Sequence, residues 1–122
     1  MSFSVVMDGD LLRVRLTDAV TREDLFALVT VVADLERGRD VVPHRITDMR
    51  NIRDLQIAYP DVQELADDRK ARRFPNSIKS AIVVGSSAQM GMARMFRTIN
   101  DNPQISIEIF EDEAAALKWL RE

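Results

Sequence analysis

KSAIVVGSSAQMGMARMFRTINDN, residues Lys79–Asn102, puts a short apolar strand, a Gly-Ser-Ser turn and an amphipathic helix one after another. Ile82, Val83 and Val84 offer no polar face, the mark of a central strand covered on both sides. Ser86 or Ser87 supplies the hydroxyl that caps the next helix. Ala88, Met92, Met95, Phe96 and Ile99 recur at helical spacing and form its apolar stripe. Strand, turn and helix together make one β-turn-α unit of a parallel sheet. The segments on either side vary the same unit.

Downstream, Pro103 opens a strand over Gln104–Phe110, where Ile105, Ile107 and Ile109 alternate with Ser106 and Glu108. Asp112 caps a last helix with Ala116, Leu117 and Leu120 inward and Trp119 at the margin. Upstream, Pro60 begins a helix as its first residue, and Val62, Leu65, Ala66 and the stem of Arg69 continue its face. Arg69, Lys70, Arg72 and Arg73 crowd the last turn, where cations suit the helix dipole. Asn51–Tyr59 reads as a loop or weak helical turn. His44–Met49 reads as a strand behind Pro43. Before it, Thr21 and Asp24 form a capping-box-like pair, followed by Leu25, Leu28, Val29, Val32 and Leu35 on one side of a helix that Gly38 ends. Ser2–Met7 and Leu11–Thr17 are strands joined by a tight Asp8-Gly9 turn.

The order is ββαβαβαβα. Strands separated by helices imply parallel crossovers, so the expected sheet has five strands in sequence order, only the first antiparallel. In the second strand Leu12, Val14 and Leu16 oppose Arg13, Arg15 and Thr17, and the fifth alternates as cleanly. One-sided strands predict helices mainly on one face. The other face is then partly open and carries Arg13, Arg15, Ser106 and Glu108.

The 122 residues suffice for one α/β domain, 1–122. With 46% hydrophobic and 30% charged residues the composition is that of an ordinary globular chain. A net charge of −3 argues against nonspecific nucleic-acid binding. Without Cys, and with His44 the only histidine, a zinc site of nitrogen and sulfur ligands within one chain is excluded. The first ten residues lack the basic start and apolar core of a signal peptide. The apolar run Leu25–Leu35 is too short to span a bilayer. A cytoplasmic protein is the expectation.

The opening strand pair with its VTREDL helix start, the RITDMRN segment, the AIVVG strand before a helix, and the closing IFEDEAAALKWL together resemble the STAS domain superfamily. Within it they resemble the SpoIIAA-like branch, and in element order the resemblance covers nearly the whole chain. It implies a small, non-enzymatic domain that binds a protein partner and needs no cofactor. Relatives of the anti-sigma-factor-antagonist type are switched by phosphorylation of a Ser in a turn after the third strand. The corresponding Arg50–Asp61 holds no Ser, Thr or Gly, so that switch is not expected. A fold similarity to CRAL-TRIO-type lipid carriers suggests an apolar ligand or lipid instead.

Two groups of candidate residues follow. In parallel α/β folds, binding groups collect at the C-terminal ends of the strands. Here Asp48, Arg50, Asn51, Ser86 and Ser87 lie at that edge, with Asp18 and Glu111–Asp112, and a basic partner surface would complement its carboxylates. Met90, Met92, Met95 and Phe96 are candidates for an adaptable apolar groove, set against their ordinary use as core. The Gly85-Ser86-Ser87 turn lacks the second Gly of a nucleophile elbow and the Lys of a phosphate loop; a helix N-cap accounts for it. Asp48, Asp54 and Asp112 could gather around Mg²⁺, but turn and cap chemistry suits them better, and no metal is expected. Asp48, beside the end of a central strand, needs hydrogen bonds, expected from the backbone that follows. The basic run Arg69–Arg73 would suit an acidic partner or an anionic lipid head group, although no second feature supports membrane contact. A homodimer is compatible with all of this.

Overall fold

The computed structural model describes residues 2–122, the side chain of Lys70 excepted. The elements are β1 (Phe3–Asp8), β2 (Leu11–Thr21), α1 (Arg22–Glu36), β3 (His44–Gln56), α2 (Tyr59–Lys70), β4 (Ile78–Val83), α3 (Ser87–Ile99), β5 (Ile105–Phe110) and α4 (Glu113–Leu120). The sheet order is β1-β2-β3-β4-β5. β1 is antiparallel to β2, and every other neighbour is parallel. The expected topology is therefore the observed one.

The caps anticipated at Thr21 and Asp112 and the stop at Gly38 are present, whereas Pro60 is the second residue of α2 rather than the first. Thr21 Oγ1 accepts from the Asp24 amide while Asp24 Oδ2 accepts from the Thr21 amide at 2.9 Å, a complete capping box. Gly38 follows the helix at φ +75°, a conformation that other residues adopt with strain. Asp61 Oδ2 accepts from the Ala58 amide at 2.9 Å at the start of α2. Asp112 Oδ1 accepts from the Ala114 amide at 3.0 Å and opens α4.

When strand order advances in one direction, right-handed crossovers put every connecting helix on the same face. α1, α2 and α3 are the connectors. Their apolar sides meet Leu12, Val14, Leu16, Ile82 and Ile107 in one core, with Leu25, Leu28, Val32 and Ala93 contributed by helices. Helices do lie mainly on one face, with one correction. α4 follows the last strand, connects nothing, and folds onto the opposite face, where Ala116 and Leu120 cover Ile46, Ala81 and Val83. β4, Ile78–Val83, begins earlier than the apolar run Ile82–Val84 and includes Lys79 and Ser80, but it is the strand that both layers cover. Ile105 and Ile109 are only partly buried, since β5 is an edge strand; Ile107 is buried.

Further corrections concern segments. Asn51–Gln56 is strand, not loop, because β2 continues beyond Thr17 and gives it a partner as far as Thr21–Gln56. Two register shifts each place one extra residue in β3, at Arg15/Thr17 and Asp18/Ala19 of the partner. In α3 the buried side chains are Gln89 and Ala93, while Ala88 is exposed. In α1 Glu36 is buried, where the apolar stripe was expected to end on Leu35. Arg69 is buried rather than part of a solvated basic end. Tyr59, whose place before Pro60 suggests packing against the helix, is instead 54% exposed, and its hydroxyl donates to Gln63 Oε1 at 3.2 Å. No helix among the described residues is long and apolar enough to cross a membrane.

Candidate functional site

At the C-terminal edge of the sheet the first bulge of β3 decides the geometry. An extra residue in a strand leaves a backbone amide outside the ladder. Asp48, 5% exposed, takes that amide: Oδ1 accepts from the Arg50 N–H at 3.0 Å. The same carboxylate accepts from Arg50 Nε and Nη2, each at 3.0 Å. Burial alone would raise the Asp48 pKa, but the Arg50 guanidinium and amide outweigh it and hold the carboxylate below its usual range. The bonds expected from the following backbone are present, with a side-chain fork added. Arg50 runs across Gly85, where a Cβ would sit 3.3 Å from Arg50 Cγ, so glycine permits the close approach. Its guanidinium is held, yet its side chain stays 39% exposed.

Beside it α3 begins. Ser86 Oγ accepts from the Gln89 amide at 3.2 Å, and Gln89 Oε1 accepts from the Gly85 amide at 2.8 Å. Ser86 is thereby committed to capping, while Ser87 is exposed. Gly85, Ser86, Ser87, Met90, Arg94 and Glu111 border an open concavity of about 700 Å³. Asn51 is exposed on β3, paired in register with Thr17. The fold thus brings Asp48 and Arg50 together, and Ser86 and Ser87 beside them. Asp54 instead accepts from Gln56 Nε2 at 2.7 Å, and Asp112 caps α4. His44 lies at the other end of β3, where Nδ1 accepts from the Lys79 amide at 2.8 Å. Burial, with Lys79 adding to it, lowers its pKa.

A second feature lies under the helices. A largely apolar cavity of about 130 Å³ sits between α1, α2, α3 and the sheet. Met92 and Phe96 line it, with Met49, Leu55 and Leu65. Met90 borders the edge concavity instead, and Met95 is partly buried elsewhere on α3. One end of the cavity is polar. Arg45 and Arg69 line it, and both pair with the buried carboxylate of Glu36. Arg69 Nη1 donates to Glu36 Oε1 at 2.9 Å and Nη2 to Oε2 at 3.2 Å; Arg45 Nη2 donates to Oε2 at 2.7 Å. Sequence reasoning did not find this triad. Its signal was present: Glu36 stands four residues after Val32 and Arg69 three after Ala66, both on apolar stripes.

The end of α2 is likewise built from inside. Asn102 Nδ2 donates to the carbonyls of Arg69 and Arg72, each at 3.0 Å. Arg72 pairs with Asp68 at 3.3 Å, and the Arg69 guanidinium lies 5.3 Å from the Phe74 ring centre.

Comparison with known proteins agrees with this architecture. The family model described as SpoIIAA-like matches residues 11–121. A crystal structure of an uncharacterised protein with a SpoIIAA-like fold from Shewanella loihica PV-4 superposes with a TM-score of 0.64 at 20% identity, covering 97% of this chain and 91% of that one. An anti-sigma factor antagonist from Mycobacterium paratuberculosis superposes with a TM-score of 0.63 at 12% identity, covering 98% and 93%. At these identities the likeness is one of fold. No curated protein matches the chain significantly.

Proposed function

The chain belongs to the SpoIIAA-like family, and from that premise we propose that it works by binding a protein partner, as a non-catalytic regulatory domain of STAS type in the cytoplasm. The observation that carries this reading is the Arg50 guanidinium, held by the two-bond fork to Asp48 yet open to solvent at the C-terminal edge. A charge fixed in place loses little side-chain entropy on binding, which favours recognition. Ser87, Asn51, Glu111 and Asp112 are exposed around it. The segment that stands where the family's phosphorylated turn does, Arg50–Asp61, holds no Ser or Thr and carries Tyr59 as its one hydroxyl side chain, which supports a reading without the Ser switch. Regulation would therefore run through association itself.

Asp48 is buried, so reversing its charge would damage the fold; Arg50 and Asn51 are the informative positions. With a captured partner in hand, Arg50→Gln is expected to weaken association at least about tenfold and to lower the urea midpoint as well, since the buried Asp48 loses the guanidinium fork and keeps only the residue-50 amide. Association is therefore compared under conditions where both chains are folded. Arg72→Glu with Arg73→Glu, at the end of α2, is expected to leave association intact. Added salt should weaken binding through screening. The opposite pattern, with loss only at Arg72 and Arg73, would put the interface on the wrong edge.

The cavity favours a second reading, in which the domain holds or senses a small apolar ligand beneath α2 and α3. A filled core would have spoken for the interaction module alone; a cavity lined by Met49, Met92 and Phe96 speaks for an occupant as well. The two readings are compatible, since a ligand between helices and sheet can bias the surface that a partner meets.

A further inference from the structure

We propose that the cavity takes a small amphipathic carboxylate, its apolar group against Met49, Met92 and Phe96 and its charge on Arg45. The inference rests on the apolar-ligand reading above and names the chemistry of that ligand.

The cavity is graded along a single strand. Arg45, Thr47 and Met49 alternate toward the helices on β3 and all line it, so one strand supplies both its charged and its apolar lining. At the charged end two guanidinium groups share one carboxylate. Glu36 balances a single positive charge, and no Asp or Glu lines the cavity. The remaining charge is enclosed, the situation that proteins tolerate least. It falls to Arg45 rather than Arg69, because Arg69 makes the two-bond fork to Glu36 whereas Arg45 makes one bond. Arg45 Nε is buried and has no hydrogen-bond partner. Burial first, and Arg69 second, push the Arg45 pKa down to about 10, as expected of a cation short of counter-charge.

Water alone does not resolve this. A void of about 10 Å³ touches Arg45 and Asn100, and Asn100 Oδ1 is also buried without a partner. A water molecule between them would satisfy hydrogen bonds and leave the charge unneutralised. A carboxylate gives the Arg45 Nε–H an acceptor and the enclosed cation its missing counter-charge, and it matches the donor geometry of a guanidinium; Asn100 Oδ1, itself an acceptor, is left to water. The apolar remainder sets the size. A cavity of about 130 Å³ compares with the ~150 Å³ known to admit benzene, so the apolar group has about six carbons.

The test uses the full chain with hexanoate, 1-hexanol and hexylamine as probes, read by calorimetry and by thermal shift. Hexanoate is expected to bind at least about tenfold more tightly than hexanol, and hexylamine not to bind. Arg45→Met, which leaves the Arg69–Glu36 fork in charge balance, should abolish the preference for hexanoate and spare hexanol. Leu65→Trp, which fills the cavity, should abolish both. If hexanol binds as well as hexanoate in the unaltered chain, the carboxylate inference falls while the apolar-ligand reading stands. If no probe binds the unaltered chain, both fall. The comparison within the unaltered chain decides the matter even if a variant fails to fold.

Discussion

Glu36, Arg45 and Arg69 show how unequal the members of a buried ion cluster can be. Removing the shared anion leaves two enclosed cations facing each other, whereas removing one cation leaves a matched pair. Glu36→Gln is therefore expected to cost about 3–5 kcal/mol, and Arg45→Met to be neutral or stabilising; urea unfolding of the two variants checks the order. His44 carries a different dependence. Its folded pKa lies below the ordinary 6.5 because burial disfavours the charged ring, and its neutral Nδ1 is the acceptor for the Lys79 amide. Below pH 6.5 the unfolded chain therefore binds a proton that the folded chain resists. This contribution to stability is complete above that pH and is lost as pH falls through the folded value. Urea midpoints measured from pH 7.5 downward should decline with that sign, and His44→Asn, which keeps an acceptor and cannot titrate in this range, should flatten the early part of the decline.

At the scale of elements, the extended β2–β3 pair is the feature that local sequence conceals. Arg50, Asn51, Arg53, Asp54 and Gln56 carry the composition of a loop. They form a strand because Asp18–Thr21 lie alongside as a ladder partner, and because Ile52 and Val20 reach the core on that stretch. Two bulges absorb the mismatch of lengths, and Asp18, at φ +58°, sits beside the second. A loop position tolerates truncation within about 0.5 kcal/mol. Ile52, 9% exposed, is instead expected to cost about 2–4 kcal/mol on change to Ala, a difference that chemical denaturation resolves readily.

On the scale of the whole molecule, the two faces of the sheet divide the labour. One lies beneath α1, α2 and α3 and encloses the cavity; the other is covered over Ile46, Ala81 and Val83 by α4. The rest of that second face, around Ser4, Val6, Arg13 and Arg15, forms a shallow groove of about 270 Å³. Arg13 ties the groove to α4 through Glu113 at 2.9 Å and to β1 through Asp8 at 2.7 Å. α4 is short, and its attachment rests on few apolar side chains. Leu120→Ala should cost about 2–3 kcal/mol and raise hydrogen exchange first in α4 and then in β4 and β5, with the helices of the opposite face protected longer. Uniform loss of protection would mean that the two faces unfold as one unit.

What the sequence determined by itself is the element order, the strand directions and the strand order. These follow from short-range chemistry: caps at Thr21, Ser86 and Asp112, the turn at Gly9, and alternation in β2 and β5. The apolar run Ile82–Val84 asked for cover on both faces, but that α4 supplies it over Ile46, Ala81 and Val83 was decided by the tertiary structure. The clustering of Asp48, Arg50, Ser86 and Ser87 at one edge was legible for the same reason, because strand ends are set by topology. Tertiary structure alone decided the rest. Whether Asn51–Gln56 pairs, whether Arg69 faces water or Glu36, and whether a cavity remains among the side chains depend on distant partners. Glu36 and Arg69 are 33 residues apart, and no local preference announces that a helix-end arginine will turn inward. A buried cation is acceptable only where the folded chain brings it a counter-charge, and that condition exists only once α1, α2 and β3 have met.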